Sequence, residues 1–269
     1  MSSQLSLPPA AAPQPLTEAQ SGLWYAQALD PANPIFNTGQ YLELLGPLDV
    51  DAFRAAVDGM VAEADALALK IEAGRQGPVQ WVDEARRPWL ELADLSAEAD
   101  PEGAARAAMA RDMGAPVDPA RYPLAREVLY RLGPQRHLWY QRAHHLALDA
   151  FGTDLTVRRV ADLYAARTGQ GQPGRPLPPL AMALAEDAAY RNAPRRAADA
   201  AYWRETFAAS PDVAGMVPGV AVSARSAHRC AAPLPESLGP ALARLGQPWP
   251  DVLAALAGAY VRRHTGGAE

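Results

Sequence analysis

Two of the five histidines in this chain are adjacent, and they open the run His144-His145-Leu146-Ala147-Leu148-Asp149-Ala150-Phe151-Gly152. Imidazole titrates near neutrality, so it can take a proton from an amine or hydroxyl and return it to a leaving group. Acyl transfer needs that exchange. Side chains adjacent on a strand point to opposite faces, so His144 and His145 cannot both reach one substrate while the segment stays extended. One faces a cleft and the other faces packing. Asp149 has two physical readings: it orients an imidazole, or it caps the following helix and pairs with an arginine elsewhere. The second is favoured, because aspartate so often precedes a helix. A purely structural reading of the segment, two histidines in a packed strand with their tips bonded to backbone, stands beside the catalytic one. A metal site would need three or more convergent ligands, and no other His or Cys has the spacing to complete one. No metal is expected.

The elements around this run must position it. Thr17-Glu18-Ala19-Gln20 is a capping box and predicts a helix start. That helix carries Leu23, Trp24 and Leu29, and Asp30-Pro31 and Asn33-Pro34 break it. Thr38 to Leu45 reads as a strand, and a helix follows from about Asp51 with Phe53, Val57, Met60 and Val61 on one face. Leu67, Leu69 and Ile71, then Val79, Trp81 and Val82, alternate about a turn as a hairpin. Asp100-Pro101 starts a helix that Gly114 closes. Extended runs over 124–132 and 137–146, joined at Gly133-Pro134, lead into the histidines, and a helix is predicted over 151–167. The Gly- and Pro-rich stretch 169–179 reads as a linker. Helices over 180–192 and 195–208, a strand near 222–231 and a helix over 250–264 complete the pattern. Strands alternating with helices predict an α/β protein, and strand pairs joined by short turns predict a mixed sheet.

Composition narrows the function. A formal charge of -5, with both signs mixed throughout, offers no basic stripe for nucleic acid. The single cysteine, Cys230, cannot close an internal disulfide, which makes the cytoplasm the default compartment. No stretch approaches the roughly 18 uncharged apolar residues of a membrane helix. There is no GxGxxG after a strand and no GxxxxGK[ST], so nucleotide and dinucleotide readings lose their main support. Residues 1–15 read as a flexible leader.

The run His144 to Gly152 resembles the HHxxxDG signature of the condensation domains of nonribosomal peptide synthetases, members of the chloramphenicol acetyltransferase-like fold. Leu16 to Gln20 followed by Gly22-Leu23-Trp24 resembles the family's first motif. Leu45-Gly46-Pro47-Leu48-Asp49 and Glu63 to Leu67 resemble the stretch ending in its second motif, which is eroded: Glu63, Ala64, Asp65, Ala66, Leu67 and Ala68 stand where the family usually has Arg-His-Glu-x-Leu-Arg. Gln80 to Asp83 and Trp139 to His145 look especially like the serine-activating synthetase of enterobactin assembly, which points to siderophore-type assembly lines.

The resemblance runs from about residue 15 to 266. It implies a mixed-sheet lobe over 16–220 with flanking helices, then from 221 to 269 a crossover strand and the first helix of a second, largely missing lobe. It implies a tunnel between lobes, reached from opposite faces by 4′-phosphopantetheine arms on donor and acceptor carrier proteins, with no cofactor bound directly. An adenylation domain is expected downstream, and the domain is expected to open its polypeptide. By resemblance His145 is catalytic, His144 is its packed partner and Asp149 is structural. Ala150 stands where the family usually has Gly, where its methyl would crowd the thioester, and Gly152 would restore room. The expected reaction is amide formation between a donor acyl-thioester and an acceptor amine. Two alternatives remain: a non-catalytic carrier-docking module, and another acyltransferase using acyl-CoA, since His144 and Asp149 also fit an HxxxxD pattern. The isolated chain is expected to be inactive and to self-associate through the apolar segment Val252 to Tyr260.

Overall fold

The computed structural model describes residues 12–209, 216, 224–225 and 230–266. Chain order begins with β1 (Gln14–Pro15), α1 (Glu18–Leu29), β2 (Asn37–Leu45), α2 (Val50–Glu63), β3 (Leu69–Gly74) and β4 (Gly77–Val82). It continues with β5 (Leu90–Asp94), α3 (Pro101–Met113), β6 (Ala125–Gly133), β7 (Arg136–His144) and α4 (Ala150–Arg167), followed by α5 (Leu180–Asn192), α6 (Pro194–Thr206), α7 (Leu238–Leu245) and α8 (Trp249–Thr265). Two compact units, Met1–Arg196 and Ala197–Glu269, divide the chain ahead of the lobe boundary at 220/221 that the resemblance implies.

The helix starts follow from their caps. Thr17 Oγ1 accepts from the Gln20 backbone at 3.2 Å while Gln20 Oε1 accepts from the Thr17 N–H at 3.0 Å, so the capping box opens α1. Asp49 and Asp100 do the same for α2 and α3, each accepting from a backbone N–H at 2.9 Å. The predicted 67–82 hairpin is β3 and β4, turned at Gly77, whose φ of 125° is a conformation L side chains rarely adopt.

In the first unit a four-stranded sheet has the order β2-β7-β6-β5, antiparallel except for the parallel pair β5–β6. The sheet is therefore mixed. Alternation along β6 and β7 sends Leu129, Trp139 and Ala143 to one face, where Phe53, Val57 and Met60 of α2 and Val160 and Leu163 of α4 cover them. Val128, Tyr130, Leu138 and Tyr140 go to the other face, against Ala105 and Met109 of α3. Each large apolar side chain fully buried here contributes about 1.5–3 kcal/mol. A small sheet, β1-β4-β3, supplies a third cluster in which Leu16, Leu69, Ile71 and Leu124 enclose Leu146, the residue after the histidines.

The leader expected over 1–15 is described only from residue 12, and its last two residues, Gln14 and Pro15, pair with Gln80 and Val79. The strand expected near 222–231 falls almost wholly outside the described residues; Ala224, Arg225, Cys230 and Ala231 are not in a strand. In the second unit α8 leaves Leu253, Leu256 and Tyr260 exposed. Among the described residues no helix is long and apolar enough to cross a membrane.

Candidate active site

β7 ends at His144, and the chain turns at once. The Ala147 N–H donates to the His144 carbonyl at 2.8 Å, which places His145 and Leu146 in the middle of a tight turn. The His144 N–H donates to Leu124 O and the His145 N–H to Phe36 O, both at 2.8 Å, so the turn is fastened ahead of β6 on one side and of β2 on the other. Leu146 is buried in the third cluster and pins the far side.

The two histidines have different surroundings. His144 is 1% exposed, with Phe36 against its ring at 6.1 Å. Its Nδ1 accepts from the Leu146 N–H at 3.1 Å, and its Nε2 lies 3.2 Å from Gln27 Oε1. Burial, reinforced by the nearby Arg142 and His145, holds the His144 pKa down at about 4, so this ring is neutral near pH 7. His145 is half-buried, and among the described residues its imidazole makes no hydrogen bond. A ring held by its backbone alone keeps both nitrogens available to a substrate.

Asp149 caps α4: its Oδ1 accepts from the Gly152 N–H at 2.7 Å, and its backbone carbonyl accepts from Thr153 Oγ1 at 2.9 Å. It makes no ion pair among the described residues, so the arginine partner expected for it is not found. Ala150 is the first residue of α4 and is exposed. Helical backbone suits alanine better than glycine, so no strain arises there. Gly152 lies in the first turn of α4. A Cβ there would lie 3.0 Å from Leu148 Cδ2 and 3.3 Å from Asp149 Oδ1, so its bareness makes room for the cap. Phe151 is 70% exposed.

Three glutamines hold this assembly; the motif reading named Gln20 and Gln80 without this role and did not name Gln27. Gln20, read only as a capping residue, sends its Nε2 to Leu146 O at 3.0 Å and to Gln80 Oε1 at 2.8 Å. Gln80, 1% exposed, returns its own Nε2 to Gln20 Oε1 at 2.7 Å. Gln27 meets His144. A signal existed: Gln20, Leu23, Trp24 and Gln27 fall at i, i+3, i+4 and i+7, so two amides share the apolar stripe of α1. Among the described residues no cluster of His, Cys, Asp and Glu could hold a metal ion.

A family model described as Condensation domain matches residues 11–268. The chain belongs to the condensation-domain family. An isonitrile lipopeptide synthase of Streptomyces coeruleorubidus is 40% identical over 262 residues, 95% of this chain and 18% of that protein. A dimodular nonribosomal peptide synthase of Bacillus subtilis is 37% identical over 256 residues, 93% and 11%. Enterobactin synthase component F of Escherichia coli O157:H7 is 34% identical over 208 residues, 76% and 16%. The chain thus spans less than a fifth of the length of these curated relatives. The first condensation domain of the calcium-dependent antibiotic synthetase, solved with a substrate analogue, superposes with a TM-score of 0.76 at 32% identity, covering 96% of this chain and 62% of that one. A variant of the starter condensation domain of rhizomide synthetase, solved with C8-CoA, has a TM-score of 0.69 at 33% identity over 73% of this chain and 46% of that one. The fold is the chloramphenicol acetyltransferase-like one of these condensation domains.

In this condensation domain the eroded second motif has kept structural work. Glu63 forks to Arg159 of α4 at 2.5 and 2.7 Å, and its Oε2 also accepts from the Leu177 N–H at 2.9 Å. These bonds hold the Glu63 carboxyl below the usual carboxylate range although burial opposes them. Asp65 pairs with Arg87 at 3.0 Å. Both carboxylates brace the helix layer behind the sheet. A further buried acid, Glu127, accepts from Trp139 Nε1 at 2.8 Å and Gln141 Nε2 at 3.1 Å. Its burial outweighs those bonds and raises its pKa to about 8.

Proposed function

We propose that His145 is the proton-transfer residue of a condensation reaction joining two acyl groups carried on separate phosphopantetheine arms. The acceptor amine attacks the donor thioester carbonyl as His145 accepts the amine proton. The C–N bond forms, the tetrahedral oxyanion collapses, the C–S bond breaks, and the donor thiolate recovers the proton from the imidazolium. One observation carries the reading: in a chain of this family, the His144 ring and the Leu146 backbone are bonded on both sides, while the half-buried His145 ring is unbonded among the described residues. His144 and Asp149 then serve as the packed partner and the helix cap.

The substrates are inferred as a donor acyl-thioester and an acceptor aminoacyl-thioester on carrier proteins, with an adenylation domain further along the same polypeptide in the cytoplasm. The lobe division at 220/221 belongs to this proposal. The likeness to enterobactin synthase component F supports a siderophore-type product. A second reading has its own support: the rhizomide synthetase variant was solved with C8-CoA, so an acyl-CoA is a rival donor for this chain.

The test is His145→Ala in the full-length protein, supplied with loaded donor and acceptor carriers and, in parallel, with acyl-CoA. Amide product should fall by about 10²- to 10⁴-fold, the range for losing a general base, while thermal unfolding stays unchanged. Product from the carrier-bound donor and not from acyl-CoA supports the first reading; the reverse supports the second. Full activity of the variant removes the mechanism, and absence of product from the wild-type protein leaves a docking role.

A further inference from the structure

The Gln27 amide has one orientation available. Its Nε2 donates to Asp30 O at 3.0 Å and Asn33 O at 3.1 Å, two carbonyls at the end of α1 that can only accept. Gln27 Oε1 must therefore face His144 Nε2, and an amide oxygen there requires Nε2 to carry the hydrogen. The other end of the ring gives the same answer independently. His144 Nδ1 receives the Leu146 N–H, a group that can only donate, so Nδ1 must be bare. A ring in the Nδ1–H tautomer, or an imidazolium, would set two donors against each other at Leu146 and remove one of the bonds that hold the turn.

We propose that Gln27 is a positioning residue for His145: by accepting from His144 Nε2 it fixes the tautomer of His144, and the bare Nδ1 then holds the backbone turn that carries His145. The path is Gln27 Oε1 to His144 Nε2–H, His144 Nδ1 to the Leu146 N–H, and Leu146 to its neighbour His145. The inference rests on the catalytic role proposed for His145, because only then does displacing the turn cost rate. The charged and titratable groups that act on the His144 ring are Arg142 and His145 itself. A displacement of about 1 Å at a reacting group costs on the order of 10²-fold in rate, so a turn loosened by part of that distance should cost about tenfold.

The experiment combines nitrogen-15 NMR of histidine-labelled protein with condensation kinetics. In the wild-type chain between pH 6 and 8 His144 should give the Nε2–H pattern alone. Gln27→Met, which keeps length and removes the acceptor, should give a mixed tautomer pattern and a kcat about tenfold lower with acceptor KM unchanged. In a His144→Asn background the Asn oxygen serves the Leu146 N–H without a tautomer to fix, so adding Gln27→Met should cost no further kcat. Three results overturn the proposal. One is a wild-type His144 in the Nδ1–H or doubly protonated form, a measurement that needs no variant to fold. Another is a Gln27→Met protein with unchanged tautomer or unchanged kcat. The last is an equal loss of kcat from Gln27→Met in both backgrounds. Absence of amide product from wild-type full-length protein would sink the catalytic reading instead, and the NMR spectrum would still judge the tautomer.

Discussion

The two ends of β7 are held by different chemistry. At the Arg136 end the paired side chains are charged and half-buried to exposed: Arg136 reaches Glu43 at 2.5 Å and Glu102 at 2.6 Å, Glu102 reaches Arg106 at 2.6 Å, and Arg131 reaches Asp94 at 3.1 Å. At the His144 end Gln20, Gln27 and Gln80 hold the turn, and Asn37 of β2 adds bonds to Met113 O and Ala115 O at 3.0 and 2.8 Å. An exposed ion pair is screened by salt and gives little geometric control. A buried amide fixes direction through its donor and acceptor and adds no charge of its own. The contrast indicates that the histidine end is built for position and the far end for solubility.

The largest expected effect is the loss of condensation on His145→Ala without a change in melting, because the contrast requires this ring to be free of structural duty. Next in size is a pH effect. The folded-state pKa of His144, about 4, lies below the ordinary value near 6.5, so the neutral ring stabilises the fold above pH 6.5. That contribution is lost as pH falls from 6.5 towards 4, by on the order of 3 kcal/mol. Glu127 acts in the other direction: its pKa is raised to about 8, so its contribution is complete below pH 4.5 and fades as pH rises through 8. Denaturant unfolding at pH 5, 7 and 8 checks both. His144→Asn should flatten the acid side and Glu127→Gln the alkaline side.

Gln20→Met should cost about 1–3 kcal/mol of stability, because it strands the buried Gln80 amide and the Leu146 carbonyl. Asp149→Ala should cost roughly 0.5–2 kcal/mol, the range for a lost cap. A larger Asp149 loss would reveal an ion partner and blur the comparison. The smallest change is expected for Arg136→Ala, a slight drop in melting temperature that shrinks further in added salt. A drop in melting temperature as large as that of Gln20→Met would mean that the exposed end carries structural weight after all.

Local chemistry made much of this fold legible. The Thr17 box, Asp49, Asp100 and Asp149 each precede a helix, and the extended runs over 124–132 and 137–146 are β6 and β7, almost wholly buried. What escaped was set by distant partners. β5 is only five residues long, and its identity as a strand depends on pairing in parallel with β6, which no local pattern states. α7 and the two-residue β1 were missed for the same reason of length. At the site the histidine run was visible as a motif. The bonds that orient it, Gln20 to Leu146 and Gln27 to His144, span 126 and 117 positions of sequence and exist only once α1 is docked.

The Gly- and Pro-rich stretch 169–179 has a consequence for how the chain resists attack. It contains no helix or strand, yet Arg159 grips the Pro173 carbonyl and Glu63 receives the Leu177 N–H. A loop fastened at Pro173 and Leu177 has little slack between and beyond those points to thread extended through a protease active site, and keeps what it has ahead of Pro173. Cleavage should therefore concentrate at Gly169 to Gly171, ahead of the first fastening. Once Glu63 is replaced, a segment that now behaves as part of the helix layer would become the first place the chain is cut.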